Sequence, residues 1–150
     1  MSNFDPQAFL SATMDQPLEK APPLPEGDYT AVVGKPEIRV NQGKKDPSKT
    51  YTFLDIPLAL EVPADLQSSG IPPTRTLRHS IILDVNDNGA LDMGPGRNSG
   101  LRILREALDM NRPGEAFSIA AIEGRPIKAK VKHEIYQEQI QERIGGVAKL

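Results

Sequence analysis

One stretch of this chain, RNSGLRILREALDMN at residues 97 to 111, has the apolar spacing of a helix of more than two turns. Leu101, Leu104 and Leu108, with Ile103 and Ala107 beside them, recur at i, i+3 and i+7; Asn98 or Ser99 can cap the start, and Pro113 stops the run. The other long patterns have the period of strands. DYTAVVGK (residues 28 to 35) alternates, and EIRV continues it after Pro36, which imposes a bend or an edge. TYTFLDIPLALEV (50 to 62) is rich in strand formers, and TRTLRHSIIL (74 to 83) is a third strand of uncertain facing, since Arg75, Leu77, His79, Ile81 and Leu83 all share one parity. After the helix, EAFSIAAI is expected to form a second short helix. GRPIKAKVKHEIY (124 to 136) then places Ile127, Ala129, Val131 and His133 on one side and Lys128, Lys130 and Lys132 on the other, and IQERIGGVAKL returns across a turn at QEQ.

The order is therefore strand, strand, strand, helix, strand, strand. That is the order of an OB-fold, a five-stranded partly open barrel with its helix between the third and fourth strands. The expected class is mainly β with one or two helices: an OB-like five-stranded barrel preceded by an extended N-terminal arm. Asp5 before Pro6 can start a short helix through QAFLSATM, but Pro17, Pro22, Pro23 and Pro25 keep residues 15 to 27 extended. The arm is assigned to residues 1 to 27 and the barrel domain to residues 28 to 150.

With 150 residues, 38% of them hydrophobic and 25% charged, the chain suits one domain with its own core. It has no cysteine, hence no disulfide framework, thiolate metal site or cysteine nucleophile. No apolar run approaches the roughly 20 residues that span a bilayer, and MSNFDPQAF lacks the basic start and apolar stretch of a signal peptide. A cytosolic location and no membrane partner are expected. The net charge of −2 argues against a polybasic binder, yet Asp5, Asp15, Glu19, Glu26 and Asp28 lie at the N-terminal end, leaving the body more basic than the average.

DVNDNGALD (84 to 92) has the oxygen ligands and the glycine of an EF-hand loop, with Asp84, Asn86 and Asn88 at positions 1, 3 and 5, Gly89 at 6 and Asp92 at 9. The twelfth position, where a bidentate Glu is needed, is Pro95. Turn formation explains every residue, and the alternative is a weakly held hard cation on Asp84, Asp87 and Asp92. His79 and His133 have no second His or Cys near them in sequence, so neither is read as a metal ligand, and no cofactor is expected. No phosphate loop, nucleophile elbow, HExxH or dinucleotide fingerprint occurs; GPGRNSG (94 to 100) is a glycine-rich lead-in to the helix, and no enzyme is expected.

Short motifs point the same way as the element order. Pro25, Gly27 and Tyr29 open the first strand, Gly124, Arg125 and Ile127 enter the fourth, and Ile144 and Gly146 close the chain. In this layout, covering roughly residues 23 to 150, the chain resembles a phage-encoded family of single-stranded DNA-binding proteins. The resemblance implies an OB-like fold, single-stranded DNA as partner, a role in phage replication or recombination alongside other phage proteins, and the host cytoplasm as location; a homo-oligomer is compatible with it.

Such a protein needs cations for phosphates and flat side chains for bases. The candidates are Lys44, Lys45 and Lys49 in the loop between the first two strands, Tyr51 and Phe53 on one face of the second, Arg75 at the start of the third, Lys128, Lys130 and Lys132 along the fourth, and Tyr136 at its end. With only 5% aromatics in the chain, Tyr51 and Phe53 are read as barrel core ahead of a stacking platform, and a lysine stripe is also what any solvated strand face shows. The competing reading is a virion or assembly protein that docks through its N-terminal arm.

Overall fold

The computed structural model describes residues 4 to 150; Met1, Ser2 and Asn3, the first residues of the expected arm, lie outside them. In chain order the elements are α1 (Pro6–Ser11), β1 (Gly27–Val33), β2 (Glu37–Gln42), β3 (Thr50–Glu61), α2 (Ala64–Gln67), β4 (Thr74–Leu83), α3 (Ser99–Ala107), a 3-10 turn (Ile119–Ile122), β5 (Pro126–Tyr136) and β6 (Gln139–Ala148). The protein is mainly β. Six antiparallel strands form one sheet in the order β2-β3-β1-β5-β6, with β4 on the other edge of β3. None of its helices is long and apolar enough to cross a membrane.

The expected first strand is two. β1 pairs with the end of β3 (Ala31 opposite Leu60), β2 pairs with its start (Arg39 opposite Phe53) in the same direction along the same edge, and Gly34, Lys35 and Pro36 interrupt the strand between them and shift its register by one residue. The split is enforced across the strand gap. Gly34 donates its N–H to the Pro57 carbonyl at 2.7 Å, and a Cβ on Gly34 would lie 2.7 Å from Pro57 Cγ, so the proline ring and the glycine require each other.

Alternation sets the core. Tyr29, Ala31 and Val33 of β1, Leu54, Ile56, Leu58 and Leu60 of β3, Ile81 and Leu83 of β4, and Ile127, Ala129 and Val131 of β5 are buried on one face of the curled sheet. The uncertain face of the third expected strand is thereby resolved, because odd-numbered residues of β4 point inward and take half-buried Leu77 and His79 with them. Burial pushes the His79 imidazole below its ordinary range. Helix α3 closes one side of the core with Leu101, Leu104 and Ala107, spaced as its sequence demanded.

The edges β4 and β6 share no backbone ladder. They are joined instead by side chains: Arg75 Nη2 and Nε donate to the two carboxylate oxygens of Glu142 at 2.9 and 3.3 Å. Packing at the N-terminal end begins earlier than Asp28, since Leu24 is wholly buried and its carbonyl lies 2.6 Å from His133 Nε2. Nearby, the Glu26 carboxylate accepts the His133 N–H at 2.9 Å and the Tyr29 hydroxyl donates to the Pro25 carbonyl at 2.7 Å. A proline-rich stretch is thus stitched to β1 and β5 by two of its carbonyls and the Glu26 carboxylate, while residues 4 to 22 are exposed.

Candidate nucleic-acid interface

Residues directly opposite one another in an antiparallel pair share a face. Across β2, β3 and β4 the registers set Arg39 beside Phe53 and Phe53 beside Ile82, Glu37 beside Asp55 and Asp55 beside Ser80, Asn41 beside Tyr51, and Pro57 beside Arg78. Leu54, Ile56 and Leu58 fill the interior, so all of these lie on the outer face. Tyr51 and Phe53 therefore belong to the surface and not to the core; Tyr51 is 41% exposed and Phe53 half-buried.

Asp55 is the hub of this face. Arg39 donates to its two oxygens from Nε at 2.8 Å and Nη2 at 3.2 Å, Ser80 Oγ donates at 2.7 Å, and Arg78 Nη1 stands 3.8 Å away. The Arg39 guanidinium above all, with the Ser80 hydroxyl, holds the Asp55 carboxyl below the ordinary carboxylate range against the opposing effect of burial. The same pairing raises Arg39, whose guanidinium carbon lies 4.5 Å from the centre of the Phe53 ring.

Lys44, Lys45 and Lys49 project from the loop that continues this face beyond β2 and β3. Gly43 donates to the Lys49 carbonyl at 2.8 Å, Lys49 donates to the Asp46 carbonyl at 3.0 Å, and the Asp46 carboxylate caps Ser48. The Ser48 contacts hold the Asp46 carboxyl below its usual range. All three lysines are exposed, and among the described residues none is in an ion pair.

The remaining candidates lie elsewhere. Lys128, Lys130 and Lys132 do form a stripe, on the outer face of β5, with Lys128 opposite Thr30, Lys130 opposite Asp28 and Lys132 opposite Arg143. β5 reaches β3 only through β1, which pairs with residues 58 to 60, whereas Tyr51 is at the other end, about 25 Å away along the strand at roughly 3.3 Å per residue. The stripe and the aromatic pair are thus not one surface. Tyr136, 56% exposed at the β5–β6 hairpin tip, has the parity of the stripe. Arg75 points inward and is committed to Glu142.

The acidic loop is organised as a turn. Val85 bridges Leu91, Asn86 Oδ1 accepts from the N–H groups of Asn88 and Ala90, and buried Asn98 ties both ends together. Asn98 Oδ1 accepts from Asp84 N at 2.7 Å, its Nδ2 donates to the carbonyls of Asp84 and Asp92, and its own N–H donates to Asp84 Oδ2. Among the described residues no three acidic or histidine side chains converge as metal ligands. Between this loop and the aromatic face lies a polar hollow of about 660 Å³, lined in part by Tyr51, Thr52, Ile82, Asn86 and Arg97.

Arg39, Asp55, Arg78 and Ile82 escaped the sequence reading. One signal was present: an acid flanked by Leu54 and Ile56 in a strand rich in apolar residues has to find a partner, and an arginine is the usual one. The chain matches no protein-family model and no curated protein.

Proposed function

We propose that this protein binds single-stranded DNA, on an OB-like barrel, by backbone charge and base stacking without sequence readout, and that it serves phage replication or recombination as a binder and not as a catalyst. One observation carries the reading: the outer face of β2, β3 and β4 presents Tyr51 and Phe53 beside Arg39, with Arg78 farther along the same face, and runs into a loop with three exposed lysines. OB-folds bind oligonucleotides on the face of their second and third strands and with the loop between the first and second. β1 and β2 together fill the place of a bent first strand, β3 and β4 those of the second and third, α3 lies in the expected position, and the Arg75–Glu142 pair spans the gap where a barrel closes. The β5 lysines supply a second cationic strip for a strand that continues around the barrel.

The test is fluorescence anisotropy with a labelled oligo-dT of about 30 nucleotides, with duplex of equal length as control, at low and moderate salt. Binding that prefers the single strand and weakens as salt rises is expected, because phosphate neutralisation releases counterions. No binding at low salt would reject the reading. A second reading has its own observation: Phe4, Phe9, Leu10, Met14 and Leu18 are each at least 61% exposed, an apolar series in the N-terminal segment that suits docking on a protein partner in an assembly. Deleting residues 1 to 20 would then abolish assembly and leave any DNA affinity intact.

A further inference from the structure

We propose that Asp55 is a positioning residue that holds the Arg39 guanidinium over Phe53, so that the exposed side of this planar cation is a stacking surface for an unpaired nucleobase and not a phosphate contact. The proposal rests on the single-strand reading and specifies how its central face works.

Three groups fix the arginine. Asp55 takes Nε and Nη2, Asn41 accepts from Nη1 at 2.6 Å in the amide orientation that satisfies both its oxygen and its nitrogen, and the guanidinium carbon stands over the Phe53 ring, 4.5 Å from its centre. Three of the five N–H groups of an arginine are then used inside the protein, and the carboxylate that holds two of them also compensates the charge. A phosphate would find little uncompensated charge here. A base would find a rigid plane whose rotamer entropy is already lost on folding, with the side chain still 34% exposed. Arg78 differs: its side chain is 64% exposed and its contact with Asp55 is a single one at 3.8 Å, so it joins Lys44, Lys45 and Lys49 as a phosphate contact. One face thus separates the two tasks, with stacking on Arg39 and charge at its margins.

The experiment compares oligo-dT with an oligomer of equal length made of abasic sites, which keeps the phosphates and removes the bases, against wild type, Arg39→Ala, Arg39→Lys and Asp55→Asn across a salt series. Arg39→Ala is expected to lose about 5- to 140-fold in affinity for oligo-dT, the range for one stacked base, with the salt slope and the abasic affinity unchanged. Arg39→Lys keeps the charge without the plane and is expected to lose as much. In the free protein, a hydrogen-exchange-protected Arg39 Nε–H resonance is expected in wild type and lost in Asp55→Asn; a signal unchanged by that substitution would overturn the positioning role. Full rescue by Arg39→Lys, equal weakening of both oligomers by Arg39→Ala with a slope reduced by about 0.7, or normal oligo-dT binding by Arg39→Ala would each overturn the stacking role alone. Failure of wild type to bind oligo-dT would remove the single-strand reading together with this refinement.

Discussion

Replacing Arg75 by methionine tests the seam between β4 and β6. Arg75 reaches Glu142 with two hydrogen bonds, and the two side chains are exposed by 45% and 7% respectively. Breaking a fully buried ion pair costs about 3 to 5 kcal/mol because a charge is left without compensation, whereas an exposed pair contributes about 0 to 1. One partner here is nearly covered and the other half in water, so Arg75→Met is expected to destabilise by about 2 kcal/mol, or roughly 4 to 8 °C in Tm for a domain of this size. Methionine keeps most of the apolar stem, so the loss reports the charge and not the packing. The decisive comparison is Arg75→Met with Glu142→Met: removing both charges leaves nothing uncompensated, and the double variant should be more stable than Arg75→Met alone. Urea unfolding followed by circular dichroism at neutral pH supplies the free energies. A single variant within about 0.5 kcal/mol of wild type, or a double variant that loses the sum of the two singles, would refute the seam as described. Since Arg75 is committed to Glu142, oligo-dT affinity should stay within about twofold in Arg75→Met.

Three further outcomes are expected. Asn98→Ala removes a buried side chain that ties Asp84 to Asp92 from a residue at φ 50°, so a loss of about 2 to 3 kcal/mol should appear in urea unfolding, with calcium giving no rescue. Gln137 and Glu138 turn the β5–β6 hairpin at φ 49° and 64°, a conformation suited to Asn-Gly; the double substitution Gln137→Asn with Glu138→Gly should raise stability by about 1 kcal/mol, read as a higher Tm. Because the folded Asp55 carboxyl lies below its unfolded range, its contribution to stability is complete above the unfolded carboxylate pKa and declines as pH falls through the folded value. Urea titrations from pH 7 to pH 2 should therefore show a smaller acid-induced loss in Asp55→Asn than in wild type.

Much of the element order was legible because period and position agree: β3, β4, β5 and β6 fall where alternation and turn residues place them, and α3 is marked by Leu101, Leu104 and Leu108. Facing was less legible where both sides of a strand are apolar. In β3 the inward Leu54, Ile56 and Leu58 alternate with Phe53, Pro57 and Ala59, and Asp55 alone marks the outer set by residue type; Phe53 lies on that face beneath the Arg39 guanidinium carbon. The pairing of Arg39 with Phe53 depends on a register that no local pattern encodes. The lysine stripe was visible as a face, but its separation from Tyr51 arises because β1 lies between β5 and one end of β3 only. Leu24 was hidden by its prolines, which exclude helix but do not exclude burial. The short α2 at Ala64–Gln67 gave too few residues for a period.

The most direct measurement is an amide chemical-shift titration of the ¹⁵N-labelled protein with oligo-dT. If the outer face of β2, β3 and β4 holds the strand, shifts should concentrate at residues 39 to 55 and 78 to 82, including the Lys44, Lys45 and Lys49 loop, with smaller changes at Lys128, Lys130 and Lys132. No shifts at any ratio, or shifts confined to β5 or to the segment before Leu24 while residues 39 to 55 stay still, would contradict the assignment of this face as the nucleic-acid interface.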